Sequence, residues 1–120
     1  MATMLVHATY GNDEPERATL AFIVANVAAS AEQETVVLLT IEGVRLGTRG
    51  YADAIQKEGF PPLKEIMGSF IANGGQIWVC GTCAKPRGIT DADLIDGARI
   101  VTAAQAVELL LSGVSKPGYN

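Results

Sequence analysis

Residues 35–41, Thr-Val-Val-Leu-Leu-Thr-Ile, form an almost uninterrupted apolar run with the length of one β-strand. Apolar side chains at successive positions, rather than at alternate positions, indicate a strand that is covered on both faces. Such strands occur in parallel sheets, where helices pack on the two sides. The run therefore predicts an α/β protein with this strand in the centre of a parallel sheet.

Strands and helices alternate along the rest of the chain. Further strands are predicted at residues 4–8, 77–80 and 98–101, and helices at residues 15–31, 61–73 and 102–111. Residues 46–60 show no clean period and predict a loop with a short helical turn, and residues 90–94 predict a capped helical turn. This order predicts an open sheet with right-handed parallel crossovers.

The first predicted helix is apolar nearly all the way round between Leu20 and Ala29. A helix without a polar face is buried on more than one side. In a small domain one side can cover the sheet, so we expect the other side to meet a second copy of the chain.

The length and net charge of the chain limit the classes of function that it can have. The 120 residues fit one domain, spanning residues 1–120, and the net charge of -4 argues against nucleic acid or an anionic membrane as the main partner. The longest apolar stretch, residues 18–31, is too short to span a bilayer. Without a secretion signal, we expect a cytoplasmic protein with reduced thiols. Neither a dinucleotide-binding glycine motif nor a phosphate-binding loop occurs, so no nucleotide cofactor is expected.

The segment from residue 76 to residue 90 holds both cysteines of the chain and its one tryptophan. Ile77, Trp78 and Val79 suit a short strand, which would deliver Cys80 to its own end. Cys83 follows at a spacing that allows a disulfide with Cys80, or discharge of a group bound to it.

Positive charge and flexible backbone follow the first thiol. Lys85 and Arg87 supply charge that favours a thiolate, the reactive form of cysteine. Gly81 and Thr82 supply N–H groups of a loop that could fold around the sulfur, and Pro86 limits a helix in that loop.

The two cysteines also admit three plainer interpretations. They could be buried core residues, since cysteine is often buried, or half of a zinc site. A zinc site within one chain would need carboxylates, because His7 is the one histidine, and no metal is expected. A structural disulfide of a secreted protein does not fit a chain without a signal peptide. His7 itself, inside an apolar strand, is expected to be a satisfied core residue.

Polar or glycine-containing segments follow three of the predicted strands. They are Thr9-Tyr10-Gly11, Glu42-Gly43 and Cys80-Gly81. Because the carboxyl ends of parallel strands lie at one edge of a sheet, we expect these segments to meet there, where ligands of such folds bind.

With these segments placed, the chain resembles the DsrE/DsrF-like sulfur relay family, whose small members are also labelled predicted peroxiredoxins. The resemblance rests on five segments: residues 9–18 with Gly11 and Pro15-Glu16-Arg17-Ala18, then Glu42-Gly43-Val44, Gly59-Phe60-Pro61-Pro62-Leu63, Val79-Cys80-Gly81-Thr82-Cys83, and Arg87-Gly88-Ile89. In relay members of this family a cysteine at a strand end precedes a segment ending in Arg-Gly, which Cys80 and Arg87-Gly88 match.

The resemblance implies a three-layer α/β/α fold with a mainly parallel sheet of four or five strands. It also implies trimers or hexamers and a cysteine that carries sulfane sulfur as a persulfide. Two departures stand out: Tyr10 occupies a position where histidine is expected in many relatives, and the fifth strand near residues 114–117 would be short or absent.

The leading hypothesis is a cytoplasmic homo-oligomer in which Cys80 exchanges sulfane sulfur with donor and acceptor proteins or small persulfides. Lys85, Arg87, Gly81 and Thr82 would support the thiolate, with Gly88, Tyr10 and Glu42 nearby and Cys83 resolving or regulating. A thiol-disulfide oxidoreductase and an oligomeric binding module with inert cysteines are the alternatives.

Overall fold

The computed structural model describes residues 3–111 of the chain. The strands are β1 (Thr3–Ala8), β2 (Glu34–Leu39), β3 (Gln76–Cys80) and β4 (Ala98–Val101). The α-helices are α1 (Pro15–Ser30), α2 (Leu63–Ala72), α3 (Gly81–Ala84) and α4 (Ala103–Leu111). Short 3-10 helices cover Ile41–Gly47, Ala52–Ala54, Lys85–Arg87 and Asp91–Asp93.

The four strands form one parallel sheet in the order β1-β2-β3-β4. At its carboxyl edge Ala8 pairs with Leu39, and Cys80 pairs with Val101. The interior position of β2 confirms the interpretation of its apolar run, since Thr35 to Leu39 are all buried. The sheet confirms the predicted parallel α/β fold.

The sheet is covered on both faces, which confirms the three-layer arrangement. Alternate residues of β2 divide between two clusters: Val37 and Leu39 belong to the larger, and Val36 and Leu38 to the smaller. Helices α1 and α2 cover the larger cluster, where Phe22 and Phe70 meet edge to face with ring centroids 5.8 Å apart. Right-handed crossovers between neighbouring strands place both helices on that same face. Helix α4 covers the other face through Ala106 and Leu109.

Helix α1 follows the predicted bounds closely, with Pro15 at its start. The side facing the sheet and α2 consists mainly of small residues and Phe22. Leu20 and Val27 are 38% and 65% exposed, so apolar surface also lies on the outer side of this helix. These exposed apolar side chains are the feature on which the expected contact with a second copy of the chain depends.

Two local predictions were wrong. The strand predicted at residues 35–41 ends at Leu39, because Ile41 has a φ of 55° and begins a 3-10 helix within a segment not expected to be helical. The segment after Cys80, predicted as a loop, is the one-turn helix α3 followed by the 3-10 helix that contains Pro86. Proline is compatible with the first turn of a helix, so Pro86 does not prevent this geometry.

Other predicted elements are found where expected. Strand β4 has the predicted bounds, and the turn at residues 90–94 contains a 3-10 helix capped by Thr90 and Asp93. Thr102 accepts a hydrogen bond from the backbone N–H of Gln105 at the start of α4. The possible fifth strand near residues 114–117 and the carboxyl-terminal tail lie outside the described residues. Between residues 3 and 111, no helix has both the length and the apolar content needed to cross a bilayer.

Candidate active site at the carboxyl edge of the sheet

The segments that follow β1 and β2 are bonded to each other at the carboxyl edge. The backbone N–H of Thr40 donates to the Ala8 carbonyl at 3.1 Å, and that of Gly43 donates to the Thr9 carbonyl at 3.1 Å. The segment after β3 joins them through Arg87, whose guanidinium contacts Glu42. The structure therefore brings the three predicted strand ends together.

Two glycines at this edge lie close to other atoms, Gly43 to backbone and Gly11 to a side chain. A Cβ atom at Gly43 would lie 2.4 Å from the Ala8 carbonyl oxygen, and one at Gly11 would lie 2.6 Å from the Tyr51 hydroxyl. That hydroxyl also accepts a hydrogen bond from the backbone N–H of Asn12 at 2.7 Å. The loop after β1 is thus held between β2 and the segment around Tyr51.

Cys80 is the last residue of β3 and the residue that precedes α3. Cys83 lies within α3, and both thiols are free and half-buried against the larger core cluster. The first backbone N–H groups of a helix have no carbonyl partner within that helix. Gly81 and Thr82 supply such groups beside Cys80, although in a helical turn and not in the loop that was predicted.

Two glycines shape the segment that carries the thiols. A Cβ atom at Gly81 would lie 3.2 Å from the Val101 carbonyl oxygen, so glycine lets α3 start close to β4. Gly88 has a φ of 71° and ends the 3-10 helix in a conformation that favours glycine. Thr82 is exposed.

Arg87 links the thiol segment to the 3-10 helix that follows β2. Its Nε donates to Glu42 Oε1 at 3.0 Å, and its Nη1 donates to the Cys83 carbonyl oxygen at 3.0 Å. Lys85 is exposed. The cationic contact that the structure records is therefore with a carboxylate and a peptide carbonyl, and stabilisation of the Cys80 thiolate by Lys85 and Arg87 stays a prediction.

Glu42 accepts hydrogen bonds from two arginines. Arg45 Nε donates to Oε2 at 2.8 Å, opposite the bond from Arg87 to Oε1. The hydrogen bond from Arg87 lowers the pKa of Glu42 below its ordinary value, partial burial opposes this change, and Arg45 lowers the pKa further. Glu42 is thus held as a carboxylate between two guanidinium groups.

Tyr10 and His7 have partners of other kinds. The Arg17 guanidinium lies 5.2 Å from the centroid of the Tyr10 ring, which connects the loop after β1 to α1. His7 Nε2 lies 2.7 Å from Thr40 Oγ1, which is in line with the expected satisfied histidine.

The sequence pattern did not identify two residues that lie at this edge, Arg45 and Tyr51. Arg45 is three residues after Glu42, a spacing that favours an ion pair once the segment is known to be helical. Tyr51 is bonded to a backbone group 39 residues away, and no local pattern indicates that contact.

A separate cavity of about 310 Å³ lies beside α2 and the segment before β4. Its apolar lining residues are Leu46, Met67, Ile71 and Ile95, and neither cysteine lines it. Among residues 3–111, no group of three or more His, Cys, Asp and Glu side chains is placed to hold a metal ion.

Comparison with known proteins places the chain in a family. The model of the DsrE/DsrF-like family matches residues 3–115, nearly the whole chain. The chain belongs to the DsrE/DsrF-like family. This membership confirms the resemblance inferred from the cysteine segment and the other four segments.

Two solved structures show the same fold. The crystal structure of the ychN protein from E. coli has a TM-score of 0.79 at 24% identity, over 98% of this chain and all of that one. The structure of MTH1491 from Methanobacterium thermoautotrophicum, a protein of unknown function, has a TM-score of 0.74 at 18% identity, over 98% and 99% of the two chains. At these identities the comparison shows the fold alone.

Two archaeal sequences are similar to this DsrE/DsrF-like chain. The uncharacterized protein MJ0760 of Methanocaldococcus jannaschii is 29% identical over 93% of this chain, and the match spans 39% of MJ0760. The uncharacterized protein MK0008 of Methanopyrus kandleri is 29% identical over 85% of this chain and 78% of its own length. The chain therefore matches well under half of the longer relative.

Proposed function

We propose that this protein is a sulfur relay protein in which Cys80 accepts sulfane sulfur and passes it on as a persulfide. The observation that carries the proposal is the position of Cys80: a free, half-buried thiol at the end of β3, on the edge where three strand-end segments meet. Reacting groups of parallel α/β sheets gather at this edge. Membership of the DsrE/DsrF-like family supports the same reaction.

The proposed transfer is a thiol exchange. The Cys80 thiolate attacks the outer sulfur of a donor persulfide R–S–SH, the sulfur–sulfur bond of the donor breaks, and R–S⁻ leaves. The product is Cys80–S–SH, and an acceptor thiolate then attacks its outer sulfur to regenerate the Cys80 thiolate. No net oxidation or reduction occurs in the cycle, and neither a metal nor an organic cofactor takes part.

A thiol-disulfide oxidoreductase is the second candidate, and the placement of Cys83 favours it. Cys83 lies within the single turn of α3 that follows Cys80, and both thiols are free. A pair in this arrangement can cycle between dithiol and disulfide. In that case the disulfide, and not the persulfide, would be the working form of the site.

The proposed partners are donors and acceptors of sulfane sulfur, either proteins or small persulfides. A relay requires reduced thiols, which suits the cytoplasm. We also propose a homo-oligomer, because Leu20 and Val27 on α1 are exposed apolar side chains. The family resemblance implies that it is a trimer or hexamer. Sedimentation of the wild type and of Val27→Lys tests this, and a monomeric wild type would refute it.

Intact mass spectrometry after incubation with polysulfide tests the relay. The wild type and Cys83→Ser should each gain about 32 Da, the mass of one sulfur atom bound to the reactive thiol. Cys80→Ser should not gain this mass. An adduct of equal yield on Cys80→Ser would refute the assignment. Formation of a Cys80–Cys83 disulfide without any adduct would favour the oxidoreductase. Slow labelling of both thiols in the folded protein would instead favour an inert binding module.

A further inference from the structure

Glu42 and Cys83 are connected through one side chain. Arg87 donates to Glu42 Oε1 from Nε and to the Cys83 carbonyl oxygen from Nη1, both at 3.0 Å. The planar guanidinium fork fixes the direction of both bonds together. A carboxylate in the 3-10 helix after β2 therefore helps to hold the peptide of Cys83, although Glu42 and Arg87 are 45 positions apart in the chain.

The Glu42–Arg87 contact is well suited to hold its geometry. The Arg87 and Glu42 side chains are 24% and 33% exposed, and the other partner of Glu42, Arg45, is 38% exposed. The side chains of the Arg17–Glu14 and Lys64–Asp53 pairs are more than half exposed. Arg45 binds the second oxygen of the same carboxylate at 2.8 Å. Both oxygens of Glu42 are thus occupied, which restricts rotation of the carboxylate.

The link exists in the form of the site in which both thiols are free. A disulfide would bring the two sulfur atoms to about 2.05 Å and fix the distance between their Cβ atoms. An interaction present in one of two conformations stabilises that conformation relative to the other. The bond from Arg87 holds the Cys83 peptide in its dithiol position, and it opposes closure of the disulfide to the extent that closure moves this peptide.

We propose that Glu42 is a positioning residue which, through Arg87, restrains Cys83 and thereby slows its attack on a persulfide carried by Cys80. This inference rests on the proposed relay function. In the restrained reaction, the Cys83 thiolate attacks the inner sulfur of Cys80–S–SH and the outer sulfur leaves as HS⁻. A Cys80–Cys83 disulfide remains, and an external dithiol must reduce it before the site can work again.

The first measurement is the lifetime of the Cys80 persulfide, followed by intact mass after excess polysulfide is removed. Glu42→Gln keeps the size of the side chain but removes the charge, and should shorten the lifetime about fivefold, the scale expected for an ion pair at this exposure. Arg87→Lys removes the fork and should shorten it similarly. Glu42→Asp, which retains the charge, should lie between Glu42→Gln and the wild type.

Two control variants separate positioning from general destabilisation. Arg45→Gln removes the other arginine of Glu42 but leaves both bonds of Arg87, so its effect should be smaller than that of Glu42→Gln. In a Cys83→Ser background the Glu42→Gln change should have no effect on the lifetime, because the attacking thiol is absent. A lifetime that Glu42→Gln shortens equally with and without Cys83 would overturn the proposal.

The second measurement needs no sulfur donor. Equilibration with glutathione mixtures gives the fraction of Cys80–Cys83 disulfide, and Glu42→Gln should raise the equilibrium constant for its formation about fivefold. An unchanged constant would overturn the role of Glu42 even if the relay is correct. A wild type that takes up no sulfur would overturn the relay, while the glutathione equilibrium would still report on Glu42.

Discussion

The Cα of Gly43 lies so close to the carbonyl oxygen of Ala8 that a Cβ atom there would approach it to 2.4 Å. This contact joins the ends of β1 and β2, and the adjacent N–H of Gly43 donates to the Thr9 carbonyl. Because both atoms of this contact belong to the backbone, no flexible side chain can move aside to make room for a Cβ atom. The edge that carries the candidate site thus depends on a glycine at this position.

Gly43→Ala should destabilise the protein by about 2 kcal/mol, because added volume in a packed region forces the backbone to shift. The matched control is Gly68→Ala in α2, where a Cβ would meet nothing within 4 Å. Alanine is the better helix former, so this change should stabilise by about 0.5–1 kcal/mol. Urea denaturation measures both, and equal effects of the same sign would contradict the interpretation.

Ile41 has a φ of 55° and a side chain that is 54% exposed. A β-branched residue in the left-handed region is strained by about 1–2 kcal/mol. Asparagine tolerates this conformation, so Ile41→Asn should stabilise the protein by about 0.5–1 kcal/mol in urea denaturation. Val107→Asn, at an exposed site of α4, should destabilise it slightly, and a loss at Ile41 as large as that at Val107 would contradict the prediction.

The pattern of apolar residues was enough to predict the parallel sheet and the order of its elements. Residues 35–39 face two layers of helices, and their unbroken apolar run records that burial directly. Ile41 was wrongly placed in the same strand because its β-branched side chain favours extended backbone. The residues on either side, Thr40 and Gly43, are bonded to the carbonyls of Ala8 and Thr9, and local sequence does not report those contacts.

The sequence indicated which residues would lie at the candidate site, but not the hydrogen bonds that join them. Strand ends and glycines indicated that Cys80 would lie with Glu42 and Arg87 at one edge. The bonds from Arg87 to Glu42 and from the Asn12 N–H to the Tyr51 hydroxyl join residues 45 and 39 positions apart in the chain. Such pairings depend on side-chain directions in the folded protein, so spacing along the chain does not reveal them.

Arg49 holds the segment before β4 in place. Its Nη1 donates to the Leu94 carbonyl at 2.9 Å, its Nη2 donates to the Ala92 carbonyl, and its backbone N–H donates to the Asp93 carbonyl at 2.9 Å. Lysine lacks the planar fork and cannot reproduce both side-chain bonds.

Arg49→Lys should therefore destabilise the protein by about 1–2 kcal/mol, measured by thermal denaturation. Arg99→Lys is the control, because Arg99 lies 4.9 Å from the Trp78 ring centroid and lysine can keep a cation there. Its expected cost is at most about 0.5 kcal/mol. Equal losses of stability for the two variants would show that the planar fork of Arg49 does not account for its contribution to stability.

Glu42 should make the stability of the protein depend on pH. The hydrogen bond from Arg87 lowers the pKa of Glu42, so the carboxylate stabilises the fold above its ordinary pKa, about 4.3 in the unfolded chain. That contribution is lost as the pH falls through the lower pKa of the folded state. With one third of the Glu42 side chain exposed, solvent screening limits it to about 0.5–1 kcal/mol.

The wild type should therefore be more stable than Glu42→Gln at pH 7, and the difference should shrink toward zero as the pH falls below about 4. Urea denaturation of both proteins between pH 7 and pH 3 measures this. Salt at 1 M should also reduce the difference at pH 7, because it screens a partly exposed ion pair. A difference that grows as the pH falls has the wrong sign for a carboxylate with a lowered pKa, and would show that Glu42 acts by packing and not by its charge.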